Sequence, residues 1–254
     1  IVRVSPSGND SNDGSSWSNA KRSVQSAIDA VYAAGGGEVW VAAGTYVERI
    51  TLRNFVHLYG GFAGSETSRD QRNWVANVTV LDGNQGGSVV TASGLGYRTA
   101  SIDGFTIQNG NAGYGGGIYC TNTSSPTISD NTITTNNAFN GAGIYCSNSS
   151  SPTILNNTIT RNSASGYGSG IYCYSSSPTI SNNSITENSA TRYGGGIYCY
   201  RSSPAISNNT ITENSASLNG GGIYTEYESS PQISNNIVAF NSSGIYRSGG
   251  SPTL

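Results

Sequence analysis

Apolar positions along this chain come in short bursts, not in long periodic stretches. From about residue 101 onward each burst is an Ile flanked by Thr, Ser, Asn or Tyr. Examples are Pro178-Thr179-Ile180-Ser181, Asn183-Ser184-Ile185-Thr186 and Gly196-Ile197-Tyr198-Cys199. Such alternation places the Ile on one face of a strand and its neighbours on the other. Ile180, Ile185, Ile197 and Cys199 are therefore expected to face inward, and Thr179, Ser181, Ser184, Thr186 and Tyr198 outward. Runs this short do not make helices, and clusters of Gly, Ser and Asn separate them.

The bursts repeat. Gly-Ile-Tyr recurs with its Ile at Ile118, Ile144, Ile171, Ile197, Ile223 and Ile245, in steps of 26, 27, 26, 26 and 22. Ser-Pro recurs at Pro126, Pro152, Pro178, Pro204, Pro231 and Pro252. Three short strands per turn with a period near 26 predict an all-β fold, a right-handed parallel β-helix. A leucine-rich repeat would need Leu at fixed places, and propeller blades need longer antiparallel strands. Stacked coils bring like residues about 4.8 Å apart. Ile columns then fill the core. Asn131, Asn157, Asn183, Asn209 and Asn236 can form one side-chain amide ladder, and Asn136, Asn162, Asn188, Asn214 and Asn241 a second. Gly before each Ile is expected at a corner with positive φ.

Residues 1 to about 100 lack the clean repeat. Ser23 followed by Val24, Ala27, Ile28 and Val31 reads as a short amphipathic helix ending at Gly35-Gly36-Gly37. Residues 23–34 are the expected N-terminal cap over an otherwise bare apolar end. Strands are expected around Val39, Ile50, Val56, Val78 and Val89, with 60–77 a protruding loop. The chain thus reads as one domain, 1–254, with cap and irregular coils over 1–100 and regular coils of about 26 residues over 101–254.

Composition narrows the function. Charged residues are 10% and hydrophobic ones 35%, low for a packed globule but sufficient for a thin solenoid. Net charge is −2 and no basic stripe is present, so nucleic acid is not an expected partner. No apolar run approaches the ~18 residues of a membrane span. The chain starts at Ile1 and contains no Met, which reads as a processed product or a fragment. Cys120, Cys146, Cys173 and Cys199 fill one repeat position and form no CxxC pairs, so neither zinc nor another metal is expected. They are expected as buried thiols, with the pairs Cys120–Cys146 and Cys173–Cys199 as possible disulfides. No cofactor is expected.

The segments GGGEVWVAAGTYVE, HLYGGFAGSET and RNWVANVTVLDG resemble the opening of bacterial secreted right-handed β-helix proteins. The pairing of GGGIY with ITEN is similar to the repeats of chlamydial-type polymorphic outer-membrane proteins, although Ile mostly replaces their Phe and Phe105 sits outside the motif. The resemblance covers nearly the whole chain. It implies a pectate-lyase-like architecture and an extracellular or cell-surface location. It is specific for fold and not for function, because the fold hosts lyases, hydrolases, adhesins and passive filaments.

Candidate chemistry is sparse. A lyase needs carboxylates clustered around Ca²⁺ with a basic residue, and a hydrolase needs paired Asp on neighbouring strands. In the regular region the carboxylates are Asp103, Asp130, Glu187, Glu213, Glu226 and Glu228. Asp103 and Asp130 fall near each other, one coil apart. Glu187 and Glu213 share a repeat position with Arg161 and read as an exposed ladder. His57, between Val56 and Leu58, reads as a structural or surface residue. Asn9 to Gly14 resembles a calcium loop, but Ala20 stands where the final acidic ligand belongs, so a polar turn is expected. The outward Thr pairs, such as Thr132 and Thr134, match an ice-binding pattern that erodes at Ile237-Val238-Ala239. Tyr119, Tyr145, Tyr172, Tyr198, Tyr224 and Tyr246 are expected as a surface aromatic ladder, either self-stabilising or able to stack on sugar rings.

The sequence stops at Pro252-Thr253-Leu254, the opening of a further coil. An assembly interface is expected there, covered by Ile1, Val2, Arg3 and Val4 of another copy, a head-to-tail contact that generates filaments. The leading expectation is therefore a non-catalytic extracellular structural protein whose partners are other copies of itself. A polysaccharide-binding or polysaccharide-cleaving protein is the first alternative, and an adhesin or passenger module the second. A tight acidic cluster with an Arg on neighbouring coils would favour the enzyme.

Overall fold

A computed structural model describes residues 1–96 and 100–253. Strands stack into three long parallel sheets, one strand of each per coil. The first sheet runs from Val2–Val4 and Gly37–Ala42 through Val56–Phe62 and Ser101–Asp103 to Gln232–Ser234. The second runs from Gly44–Val47 to Ile237–Ala239, and the third from Ile50–Thr51 to Ile245–Arg247. A short fourth row, including Asn137–Asn140 and Ser163–Ala164, lies ahead of the third sheet and turns Ala138 and Ala164 inward. Register is strict: Ile154 pairs with Ile180, Ile159 with Ile185, and Ile171 with Ile197. These Ile side chains are fully buried in one continuous core.

Polar ladders hold the corners. The Asn183 amide donates to Ile154 O (2.9 Å), Ser181 O (2.9 Å) and Asn209 Oδ1 (3.0 Å). Its own Oδ1 accepts from the backbone N–H (2.9 Å) and side-chain amide (3.0 Å) of Asn157. The ladder through Asn188 repeats this pattern at the next corner. The third corner carries a serine ladder that the sequence reading missed. There Ser176 N–H donates to Ser202 Oγ (3.1 Å), and Ser202 Oγ donates to Cys173 O (3.0 Å). Each ladder residue follows one in the left-handed region: Asn182 (φ 56°), Glu187 (φ 55°) and Ser175 (φ 48°). The glycines before Ile118, Ile144, Ile171, Ile197 and Ile223 are needed for another reason than positive φ. A Cβ on Gly143 would lie 2.5 Å from Gly170 O of the next coil, so stacking itself excludes a side chain. The left-handed glycines sit two residues earlier, as at Gly168 (φ 60°).

The capping helix spans Val24–Ala33 behind Ser23 and buries Val24, Ala27, Ile28 and Val31. Glu48 receives the N–H groups of Val24 (2.7 Å) and Gln25 (3.0 Å) at the helix N-terminus. No helix is long and apolar enough to cross a membrane, among the described residues.

Two expectations about the ends and loops need correction. The edge of Val2–Val4 is already used by its own chain: Arg3 N–H donates to Gly14 O (2.9 Å) and Lys21 N–H to Arg3 O (2.9 Å). Ile1, Val2, Arg3 and Val4 therefore present no free strand edge to a second copy. Pro252 and Thr253 continue the first sheet, with Thr253 bridged to Gln232, and Leu254 lies outside the described residues. Residues 63–77 do not protrude. They fold back over the outer face of the first sheet, where Asn73 N–H donates to Gly61 O (2.7 Å). A Cβ on Gly61 would come within 2.7 Å of Trp74 Cα, so glycine permits this approach.

Candidate functional site

The first sheet alternates Leu58 and Ile102 inward with His57, Tyr59, Ser101 and Asp103 outward. Register places Tyr59 beside Asp103 and Asp103 beside Ser129 on successive coils. Asp130 follows at the corner in the left-handed conformation (φ 55°), where later coils carry Asn156, Asn182, Asn208 and Asn235. The loop 63–77 adds cations and an indole from above. Its own shape is fixed locally: Glu66 accepts from the N–H groups of Ala63 and Gly64, and Gln71 closes a capping box with Ser68. Burial opposes ionisation of Glu66, but the N–H groups of Ala63, Ser65 and Gly64 hold its carboxyl below its ordinary value.

Arg72 is the centre of the arrangement. Its guanidinium forms an ion pair with Asp103 and donates to Gly60 O (3.1 Å). It lies over Tyr59, 5.1 Å from the ring centroid, and over Trp74 at 4.7 Å. The side chains of Arg72 and Asp103 are only 11% and 13% exposed, so the pair is shielded from screening. Ser129 Oγ donates to the other Asp103 oxygen at 2.6 Å. Arg69 forms a second pair with Glu38 (2.7 Å) and donates to the Tyr59 hydroxyl (3.1 Å). Asp130 is half-buried beside this cluster. Burial and then the Asp103 carboxylate push its carboxyl above the usual range, against the opposing pull of Arg72 and a hydrogen bond with Asn156. An open groove of about 430 Å³ lies between Tyr59, Arg69, Asp70, Arg72, Trp74 and Asp103. The two carboxyl groups thus sit in unequal environments, one paired with Arg72 and one pushed up by burial and by its neighbour.

A family model described as the right handed beta helix region matches residues 12–211 and again 165–254. The chain belongs to this right-handed β-helix family. No curated protein matches this β-helix in sequence. Among solved structures it is similar to the pectin methylesterase of Aspergillus niger, with 15% identity, a TM-score of 0.47, and coverage of 96% of this chain and 85% of that one. It is also similar to the A-module of the Azotobacter vinelandii mannuronan C-5 epimerase AlgE4, with 14% identity, a TM-score of 0.28, and coverage of 91% and 94%.

The other residues singled out from the sequence fall elsewhere on this β-helix. The Tyr column does face away from the core, but it is not a surface ladder along its length. Tyr145, Tyr172, Tyr198 and Tyr224 are buried, because flanking Tyr167, Tyr174, Tyr193 and Tyr200 pack over them. Tyr119 is half-buried and Tyr246 is 41% exposed. Tyr172 and Tyr198 meet edge to face at 4.7 Å, and Tyr198 and Tyr224 stack at 5.3 Å. Ring faces used in this way are closed to sugars. Cys120, Cys146, Cys173 and Cys199 pair in register and are buried free thiols. Contact with Cys120 and burial push the Cys146 thiol up, and Cys199 and burial do the same to Cys173. His57 bonds Ser101 through Nδ1 (3.0 Å). Arg161 and Glu187 form an exposed pair at 2.7 Å. In the polar turn Asp10 accepts from Arg22 and Ser23 N–H, and Asp13 from Ser15 N–H and Asn19.

The sequence placed Asp103 and Asp130 near each other without giving them a catalytic role, and it did not point to Tyr59, Arg72, Trp74 or Ser129. One signal was available. Down the column that reads Asp103, Ser129, Leu155, Ser181, and down the corner that reads Asp130, Asn156, Asn182 from one coil later, a carboxylate stands only at the first place of each.

Proposed function

We propose that this β-helix is an extracellular polysaccharide hydrolase working at the Asp103–Asp130 pair. The observation that carries the reading is the half-buried Asp130 carboxyl, raised by burial and by its neighbour Asp103, which Arg72 holds in an ion pair. Asp130 donates a proton to the leaving oxygen, and Asp103 accepts one from the attacking water. Trp74, 38% exposed, offers indole surface to a sugar ring. A polymer suits the site because the groove lies on the outer face of the first sheet, which continues over later coils as an exposed row of Thr127, Thr153 and Thr179. The low charge and the resemblance of the repeats to those of outer-membrane proteins support a place outside the cell. The acidic cluster with an Arg, and the occupied edge of Val2–Val4, put this reading ahead of end-to-end assembly.

The test is release of reducing ends from a panel of neutral and acidic polysaccharides. Asp103→Asn and Asp130→Asn are each expected to lower the rate by about 10²–10⁴-fold, the usual worth of a general acid or base. Wild-type activity should persist above the ordinary carboxylate range and fall as pH rises through the raised Asp130 value, because the acid is lost there. A panel with no turnover, or variants as active as wild type, would overturn the proposal.

A further inference from the structure

The tyrosine face carries a second inference, independent of the polysaccharide reading. Ring contacts link Tyr119, Tyr145, Tyr172, Tyr198, Tyr224 and Tyr246 in sequence, with centroids 4.7–5.7 Å apart. A branch leaves Tyr172 through Tyr174 (6.3 Å) to Tyr200 (5.3 Å) and Tyr227 (4.8 Å), whose side chain is 52% exposed. Five coil steps of about 4.8 Å give this unbroken aromatic path a length of about 24 Å. Packing alone does not require phenols, since Phe would stack as well and leave no buried hydroxyl to satisfy.

One hydroxyl is set apart. Tyr198 is 2% exposed and donates its phenolic proton to the Glu226 carboxylate of the next coil. Among the described residues no other ring of this face donates to a carboxylate. The rings on either side, Tyr172 and Tyr224, are in contact with it.

We propose that this face is a one-electron oxidation site, in which a hole entering at an exposed ring passes along the stack and settles on Tyr198. The oxidant is a one-electron acceptor of the peroxidase-intermediate or photogenerated metal-complex class, and it is reduced by one electron. The Tyr198 O–H bond breaks, its proton passes to Glu226 Oε2, and a neutral phenoxyl radical remains beside a protonated carboxyl. Only a phenol with a built-in acceptor can release its proton without water, so Tyr198 is the resting place of the hole. Cys173 and Cys199 lie one residue further along the same strands but face the core. The path therefore keeps oxidising equivalents on the outside of the coil, away from the thiols.

The experiment is photo-oxidation of the whole chain with tris(bipyridyl)ruthenium and persulfate, followed by freeze-quench electron paramagnetic resonance. Wild type is expected to give a long-lived tyrosyl signal. Tyr198→Phe keeps the ring and the stack, and should lose that component several-fold. Glu226→Gln keeps the size and a hydrogen-bonding oxygen but cannot take the proton, and should shorten the radical's life several-fold. Tyr32→Phe, outside the path, should leave the signal unchanged. Circular dichroism checks that each variant keeps its strands. Equal yield and decay in wild type and Tyr198→Phe would overturn the proposal.

Discussion

The regular coils after residue 100 and the irregular ones before it solve the same stacking problem by different means. In the regular part most inward and corner columns repeat one residue type, and the ladder side chains find their partners in the copy above or below, as Asn157, Asn183 and Asn209 do. Charge is almost dispensable there. Of the four ion pairs among the described residues, only Arg161–Glu187 lies wholly in this part, and it is exposed. In the early coils the columns break, and glutamates, arginines and a folded-over loop take their place. Regularity satisfies the ladder amides internally and leaves few of them over for a substrate. The candidate site lies at the junction, where Arg72 from the loop reaches Asp103 on the first regular coils.

The comparison can be broken most sharply at that junction. Arg72→Met leaves the Asp103 carboxylate shielded and unpaired, which should cost about 3–5 kcal/mol, read as loss of hydrogen-exchange protection around 60–77 and the first coils. The double variant Arg72→Met with Asp103→Leu should recover much of that loss. If the single variant keeps full protection, the junction does not depend on the pair. A smaller effect is expected inside the ladder. Asn183→Ala strands buried backbone groups of the adjoining coils and should cost about 1–3 kcal/mol in denaturant unfolding. Its effect should be indifferent to salt, unlike that of an exposed ion pair. Smallest, and opposite in sign, is Thr225→Val. Thr225 continues the Cys column with a buried hydroxyl that has no partner. The isosteric apolar side chain should raise stability by about 1 kcal/mol in the same assay. A loss instead would mean that the column tolerates polarity.

The fold was legible because the repeat is. Ile at fixed places, Asn at two corners and Ser23 ahead of an apolar helical face each had one structural meaning, and each is found where expected. The serine ladder was hidden because Ser is common in every turn of this chain, so its column does not stand out. The Tyr column was assigned to the right side of the sheet but to the wrong depth. Alternation tells which face a residue takes, not how far neighbours such as Tyr174 and Tyr200 cover it. The candidate site was half legible. Asp103 and Asp130 belong to the repeat frame and could be placed one coil apart. Arg72 and Trp74 belong to a loop whose path depends on Gly61 and Asn73, and no periodicity describes that path.

The strict register has a consequence for how such a chain varies. Because each coil offers the next the same amide, the same hydroxyl and the same Ile, removal of one whole period, for instance 157–182, would rejoin Asn156 to Asn183 with every ladder intact. Length is then a nearly free parameter. Unequal crossing-over between like repeats can lengthen or shorten the rod without disturbing the site at its irregular end.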